Sequence, residues 1–164
     1  MLSLIFKILR AFILITTLVG LQILVQSLLP APYQTLNILL AVIGAQLAVK
    51  SDGRMVWLAF SVLTLLGLVA ADNFYLPLIA GTLATLISIW LSRHILSGQS
   101  WYSALTITFI LIFLFRFIYL FILLITSSAA NLFSQTIFIF FGWEMLFTII
   151  LSQILYYFIT RRFV

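Results

Sequence analysis

Residues 102–125 read YSALTITFILIFLFRFIYLFILLI, and this stretch decides the fold. It holds a single charged side chain, Arg116. Soluble domains carry about 25% charged residues, because their surfaces must face water. A helix crossing a bilayer needs roughly 20 consecutive apolar residues, and 102–125 is long enough. The same texture runs through the whole chain. Of its 164 residues 65% are hydrophobic and 7% charged, and the mean hydropathy is +1.33. So few charges cannot cover a water-facing surface, whereas a lipid-facing one needs no such cover.

Polar and proline-containing breaks divide the chain into six apolar segments: 11–29, 36–49, 55–71, 75–92, 102–125 and 135–160. The expectation is an all-α, polytopic membrane helix bundle with six transmembrane helices in one domain. Crossings of this size fill nearly the whole length, leaving no space for a separate soluble catalytic domain. Helix 1 is expected to end at Pro30-Ala31-Pro32, because proline cannot continue a helix. Helix 2 stops at the polar turn Lys50-Ser51-Asp52-Gly53-Arg54. Pro77 falls in the first turn of helix 4, where a missing amide proton does no harm. Lys7 and Arg10 ahead of an apolar run resemble a signal peptide. That run is too long for a typical h-region and no small-x-small cleavage site follows, so it reads as a retained helix.

Orientation follows from charge. With the first helix entering from inside, Lys7, Arg10, Lys50, Arg54, Arg93, Arg161 and Arg162 all collect on the inner side. The outer turns, around Ala31, Asn73 and Ala129, carry no Lys or Arg, which is the positive-inside pattern. Both chain ends are therefore expected in the cytoplasm, with Ser51 and Ser97 inside and Tyr33, Asn73 and Ser128 outside. Helix 2 is short for a span, and a tilted, thinned or re-entrant segment is its alternative. The net charge of +5 does not point to nucleic acid, since the basic residues form no patch or stripe. The absence of cysteine excludes disulfides, thiolate metal sites and cysteine nucleophiles.

Small residues mark the helices expected inside. Ala41, Gly44, Ala45 and Ala48 share one side of helix 2, and Ala80, Ala84 and Ser88, beside Gly81 and Thr85, form a ridge on helix 4. Small-xxx-small surfaces let helix backbones approach in lipid. Twelve of the sixteen phenylalanines follow residue 100, so much of helices 5 and 6 is expected against lipid or a partner.

Charges within a span are costly and normally face protein or water. Arg116 lies 14 residues above Tyr102, about 21 Å from the inner face, and Glu144 lies 9 residues below Gln135, about 14 Å from the outer one. For helices of about 35 Å these depths coincide, so an Arg116–Glu144 ion pair is expected. Two readings stay open: a lock between helices 5 and 6, or a role in partner binding or a polar pathway. Asp72, at the outer end of helix 3, is either a plain helix-end residue or one that lines an outward-facing cavity or receives a partner's side chain. Gln22, Gln26, Asn37, Gln46 and Gln153 read as interhelical hydrogen-bonding groups ahead of ligand contacts. Gln22 and Gln26, four apart, share a face of helix 1. His94 has no second ligand at metal spacing. Trp57, Trp90, Trp101 and Tyr102 fall where interfacial anchors sit. No arrangement for covalent or metal catalysis is visible, and no cofactor or catalytic residue is expected.

The run Leu66-Gly67-Leu68-Val69-Ala70-Ala71-Asp72, followed by the small-residue helix from Leu76 to Ser92 and then Arg93, resembles the MreD family of bacterial rod-shape-determining membrane proteins. The resemblance covers roughly residues 30 to 100, but Asn73-Phe74 replaces the family's Gly-rich surroundings of the acid. It implies a bundle of five or six helices in the bacterial cytoplasmic membrane. It also implies an MreC-like membrane partner and a non-enzymatic place in the cell-wall elongation machinery. The chain is also similar, more distantly, to the membrane-embedded substrate-binding subunits of energy-coupling-factor transporters. Two functions follow as expectations. The leading one is a membrane scaffold binding other membrane proteins, and the alternative is a small-solute transporter or its binding subunit.

Overall fold

The computed structural model describes residues 2–31, 33–50, 52–70, 75–94, 100–126 and 135–161. Among them are six α-helices and no strand: α1 (Leu2–Leu28), α2 (Ile38–Val49), α3 (Arg54–Ala70), α4 (Tyr75–His94), α5 (Trp101–Thr126) and α6 (Gln135–Arg161). One 3-10 turn, Tyr33–Thr35, sits between α1 and α2. Four helices carry apolar stretches long enough to cross a membrane: Leu9–Leu28, Tyr75–His94, Trp101–Thr126 and Ile139–Arg161. This is compatible with a multi-pass membrane protein. The other two, α2 and α3, are apolar but shorter.

Helix boundaries differ from the sequence expectation by two residues or more at three places, one of them the start of helix 2, at Ile38 and not at residue 36. Helix 1 begins at Leu2, not at residue 11, because no Pro or Gly precedes the apolar run and Lys and Arg are good helix formers. Helix 4 continues to His94, where the Nδ1–H of His94 donates to the Trp90 carbonyl (2.8 Å) and the two rings stack with centroids 5.0 Å apart. The expected outer end of helix 3 at Ala71 lies outside the described residues, as do Ser51, Asn73, Ser97, Ser128, Ala129 and Arg162.

The centre of the bundle is α2, which touches α1, α3, α4, α5 and α6. Eight of its twelve residues are buried. Around it, α4 packs between α3 and α5, and α6 packs on α5, while α1 lies outside α2 and α3. Backbone proximity explains why small residues sit here. A Cβ on Gly44 would collide with the Thr108 Oγ1 and lie 3.1 Å from the Thr108 Cβ. A Cβ on Gly81 would collide with the Leu63 Cδ1 and lie 3.6 Å from the Phe115 Cε2. The two collisions differ in kind. Leu63 presents the free end of a flexible side chain. Thr108 is β-branched and stiff, and its hydroxyl is held by the Ala104 carbonyl and by Ser152. Gly44→Ala is therefore expected to cost about 1–3 kcal/mol, as overpacking does, and Gly81→Ala clearly less. Denaturant unfolding of the two variants in detergent checks the order, and equal losses would contradict it.

Helix α5 divides cleanly. Ser103, Ala104, Ile107, Thr108, Leu111, Ile112 and Phe115 are buried, at the spacing of one helical face. Phe109, Phe113, Phe117 and Phe121 are exposed on the other side, with successive ring centroids 6.5, 6.2 and 6.5 Å apart. The phenylalanine-rich helix thus has one face in the core and one facing outward.

Helix α2 does not run the full depth of the bundle. The Asn37 amide donates to the Thr148 Oγ1 (3.2 Å), and Thr148 is midway between Gln135 and Arg161 in α6. Twelve helical residues span about 18 Å, so α2 reaches from that midpoint to Lys50 only. The chain just before it, residues 33–37, is not α-helical and lies against the middle of α6, with the Tyr33 and Phe147 ring centroids 5.2 Å apart. Such backbone is tolerated at membrane depth only when protein or water satisfies it. Here the Tyr33 amide donates to the Pro30 carbonyl (2.9 Å) and the Leu36 amide to the Tyr33 carbonyl (3.1 Å). Gln22 of α1 adds two bonds: its Nε2 donates to the Leu36 carbonyl (3.1 Å) and its Oε1 accepts from the Ile38 amide (2.8 Å). Asn37 caps α2 by accepting from the Leu40 amide (3.2 Å), as a side-chain oxygen at an N-cap does.

Candidate functional site

Among the described polar groups in the bundle, three sets join one helix to another. The first is the Gln22–Asn37–Thr148 set that holds the start of α2. The second is a hydroxyl pair, Thr108 and Ser152, 2.7 Å apart between α5 and α6. The third is Arg116 and Glu144. The Nε–H of Arg116 donates to the Oε2 of Glu144 across the same helix pair.

The second and third sets share one register. Arg116 is eight residues beyond Thr108, and Glu144 is eight residues before Ser152. Antiparallel helices in steady contact keep the sum of their paired residue numbers constant, and the two pairs here share the same sum. The two rungs stand about 12 Å apart at 1.5 Å per residue. Glu144, Thr148, Ser152 and Tyr156 form the buried stripe of α6, at the four-residue spacing that keeps side chains on one face.

The charged pair is asymmetric. The Glu144 side chain is 1% exposed and that of Arg116 is 35% exposed. The guanidinium carbon of Arg116 also lies 5.7 Å from the Phe115 ring centroid and 5.9 Å from that of Tyr119, within the range of cation–π attraction. The acid is thus enclosed, and the base covers it from the side that remains partly open.

Asp72 lies outside the described residues, so it is not placed relative to this pair. Of the remaining polar candidates, Gln22 is buried at 4% exposure while Gln26 is exposed. They share a face of α1, but Gln22 meets the start of α2 and Gln26 lies one turn beyond it. Gln46 and Gln153 are half-buried. The hydroxyl of Ser88 and the Nε2 of Gln153 are buried without a partner among the described residues. Thr108, Thr148 and Ser152 are fully buried and were invisible as a group in the sequence, because hydroxyl residues scatter among apolar ones in any membrane helix. The only signal was their fixed spacing from Arg116 and Glu144.

Apart from Arg116, the described basic residues gather at one end of the bundle. Gln22, twelve residues past Arg10, meets Ile38, twelve before Lys50. Gly44, six before Lys50, meets Thr108, seven after Trp101. Ser152 lies nine before Arg161. Trp57, Trp90, Trp101 and Tyr102 are exposed near the same end.

No family model, curated protein or solved structure matches the chain.

Proposed function

We propose that this chain is a non-catalytic membrane scaffold, crossing the bilayer six times with its basic end in the cytoplasm, and that it acts by binding other membrane proteins through its helices. The MreD resemblance suggests where such a scaffold works: in the bacterial cytoplasmic membrane, within the wall-elongation machinery, beside an MreC-like partner. One observation carries the scaffold reading. The small residues of α2 and α4 are closed by neighbouring side chains, Gly44 by Thr108 and Gly81 by Leu63. A solute carrier would need those positions to open a cavity near the midplane.

The sixth crossing depends on α2. The charge pattern favours it. Single cysteines in this cysteine-free chain test the topology. Ser51→Cys and Ser97→Cys should react with an impermeant maleimide only after cells are permeabilised, and Ser128→Cys in intact cells. Labelling of Ser51→Cys from outside would leave α2 re-entrant and the six-crossing arrangement untenable.

The scaffold and carrier readings separate in a thermal-stability screen of the purified protein against small solutes, including vitamins. A ligand that binds the folded state stabilises it by mass action. The scaffold reading expects no solute to raise the melting temperature, and a saturable, concentration-dependent rise would favour the carrier.

A further inference from the structure

Arg116 has five N–H donors, and among the described residues one is used: Nε–H, on Glu144. The rest of the guanidinium belongs to a side chain that is 35% exposed. It is far from water along the helix axis. Arg116 lies fifteen residues from Trp101 and ten from Thr126, about 22 Å and 15 Å from the two ends of α5. Arginine near a helix end relieves such a position by snorkelling to the interface. Here Glu144, 1% exposed and about 14 Å below Gln135, holds the guanidinium at its own depth. A lipid phosphate therefore does not reach it without moving the pair.

The surroundings fit a helix. On the same side of α5, three residues before and four after Arg116, stand exposed Phe113 and half-buried Leu120. Glu144 balances the charge, but the remaining N–H groups still call for acceptors, and lipid offers none. A carboxylate meets two guanidinium N–H groups in parallel, which no neutral acceptor does as well. Among the described residues a second copy offers no free acid: Glu144 is engaged in its own pair and Asp52 pairs with Arg54 at 3.5 Å in the α2–α3 turn.

We infer that Arg116 is the docking point for a transmembrane helix of a different protein, which brings an Asp or Glu to the Nη side of the guanidinium and packs on Phe113 and Leu120. The inference rests on the scaffold reading and names the chemistry of its partner. Glu144 holds the guanidinium from inside, and the incoming carboxylate completes it from outside. The partner's acid is stable in the bilayer only when it is docked, so charge selects the partner and the aromatic face adds contact area.

The test is photocrosslinking in native membranes, with benzoylphenylalanine in place of Phe113 or of Leu120, and of Phe6 on α1 as a control face. The expected result is an adduct from the first two sites. Its crosslinked peptide should be a transmembrane segment carrying Asp or Glu. Changing that acid to its amide should reduce the adduct at least tenfold, and so should the folded double variant Arg116→Met with Glu144→Gln. If the double variant does not fold, the partner's amide variant alone decides. An adduct with a helix lacking an acid, an adduct between two copies, or an adduct undiminished by the amide change would each overturn the inference. No protein adduct at either α5 site would overturn it too, and with an adduct at Phe6 the scaffold reading would stand.

Discussion

Glu144→Gln is expected to destabilise the isolated bundle by about 3–5 kcal/mol, the loss typical when one partner of a buried ion pair is removed. The direction follows from the asymmetry of the pair. The Glu144 side chain is 1% exposed, so the amide that replaces it stays enclosed and still accepts one hydrogen bond from Arg116. It no longer neutralises the guanidinium, which is left as a net charge at membrane depth. Arg116→Met alone should be at least as damaging, because it strands the enclosed carboxylate. The double change Arg116→Met with Glu144→Gln should recover much of either loss, since no charge remains to be compensated. A double-mutant cycle by denaturant unfolding in detergent reports the coupling. Strictly additive losses would show that the two residues do not depend on each other.

The second large effect is expected at Gln22. Gln22→Leu keeps the size of the side chain but leaves the Leu36 carbonyl and the Ile38 amide without the partners they have now. An unsatisfied buried backbone group costs about 1–3 kcal/mol, and lipid offers no water in exchange. Gln26→Leu is the internal control. It changes an exposed residue on the same face of α1 and should lie within about 0.5 kcal/mol of the parent, as surface substitutions do. Hydrogen exchange locates the damage: the amides of Ile38 and Leu40 should lose protection in Gln22→Leu and keep it in Gln26→Leu. Equal behaviour of the two variants would mean that Gln22 does not hold the start of α2.

These two sites show what could be read before the structure and what could not. Arg116 and Glu144 stood out because a charge in apolar sequence is rare, and counting residues from each interface placed both at one depth. Helical rise is regular, so depth survives the step from sequence to structure. The inward place of α2 followed from Gly44 and its alanines for the same reason, as small residues mark close backbone approach. The late start of α2 was not legible. Residues 36–49 look like one short apolar helix, and the first two of them leave the helix because Gln22 and Thr148 offer their backbone better partners than the next helical turn does. That choice is made by residues far away in sequence, 14 positions for Gln22 to Leu36 and 111 for Asn37 to Thr148. Likewise, Gln22 and Gln26 are alike in one-dimensional spacing. Only the level at which α2 starts separates a residue that supports the fold from one that faces outward.

Gly44 and Gly81 make the same point within one sequence pattern. Both belong to small-residue ridges that look equivalent. The cost of filling each depends on what stands opposite, a pinned threonine in one case and a mobile leucine end in the other.

The central claim, that this chain works by holding other membrane proteins, is tested most directly by the mass of the particle it forms in its own membrane. The chain can be extracted with a copolymer that preserves the surrounding lipid and weighed by native mass spectrometry. The account predicts a particle heavier than the 18.6 kDa chain by a stoichiometric amount of a different membrane protein. That added mass should be absent when the folded Arg116→Met, Glu144→Gln chain replaces the parent. A monodisperse particle containing this chain and lipid alone would contradict it.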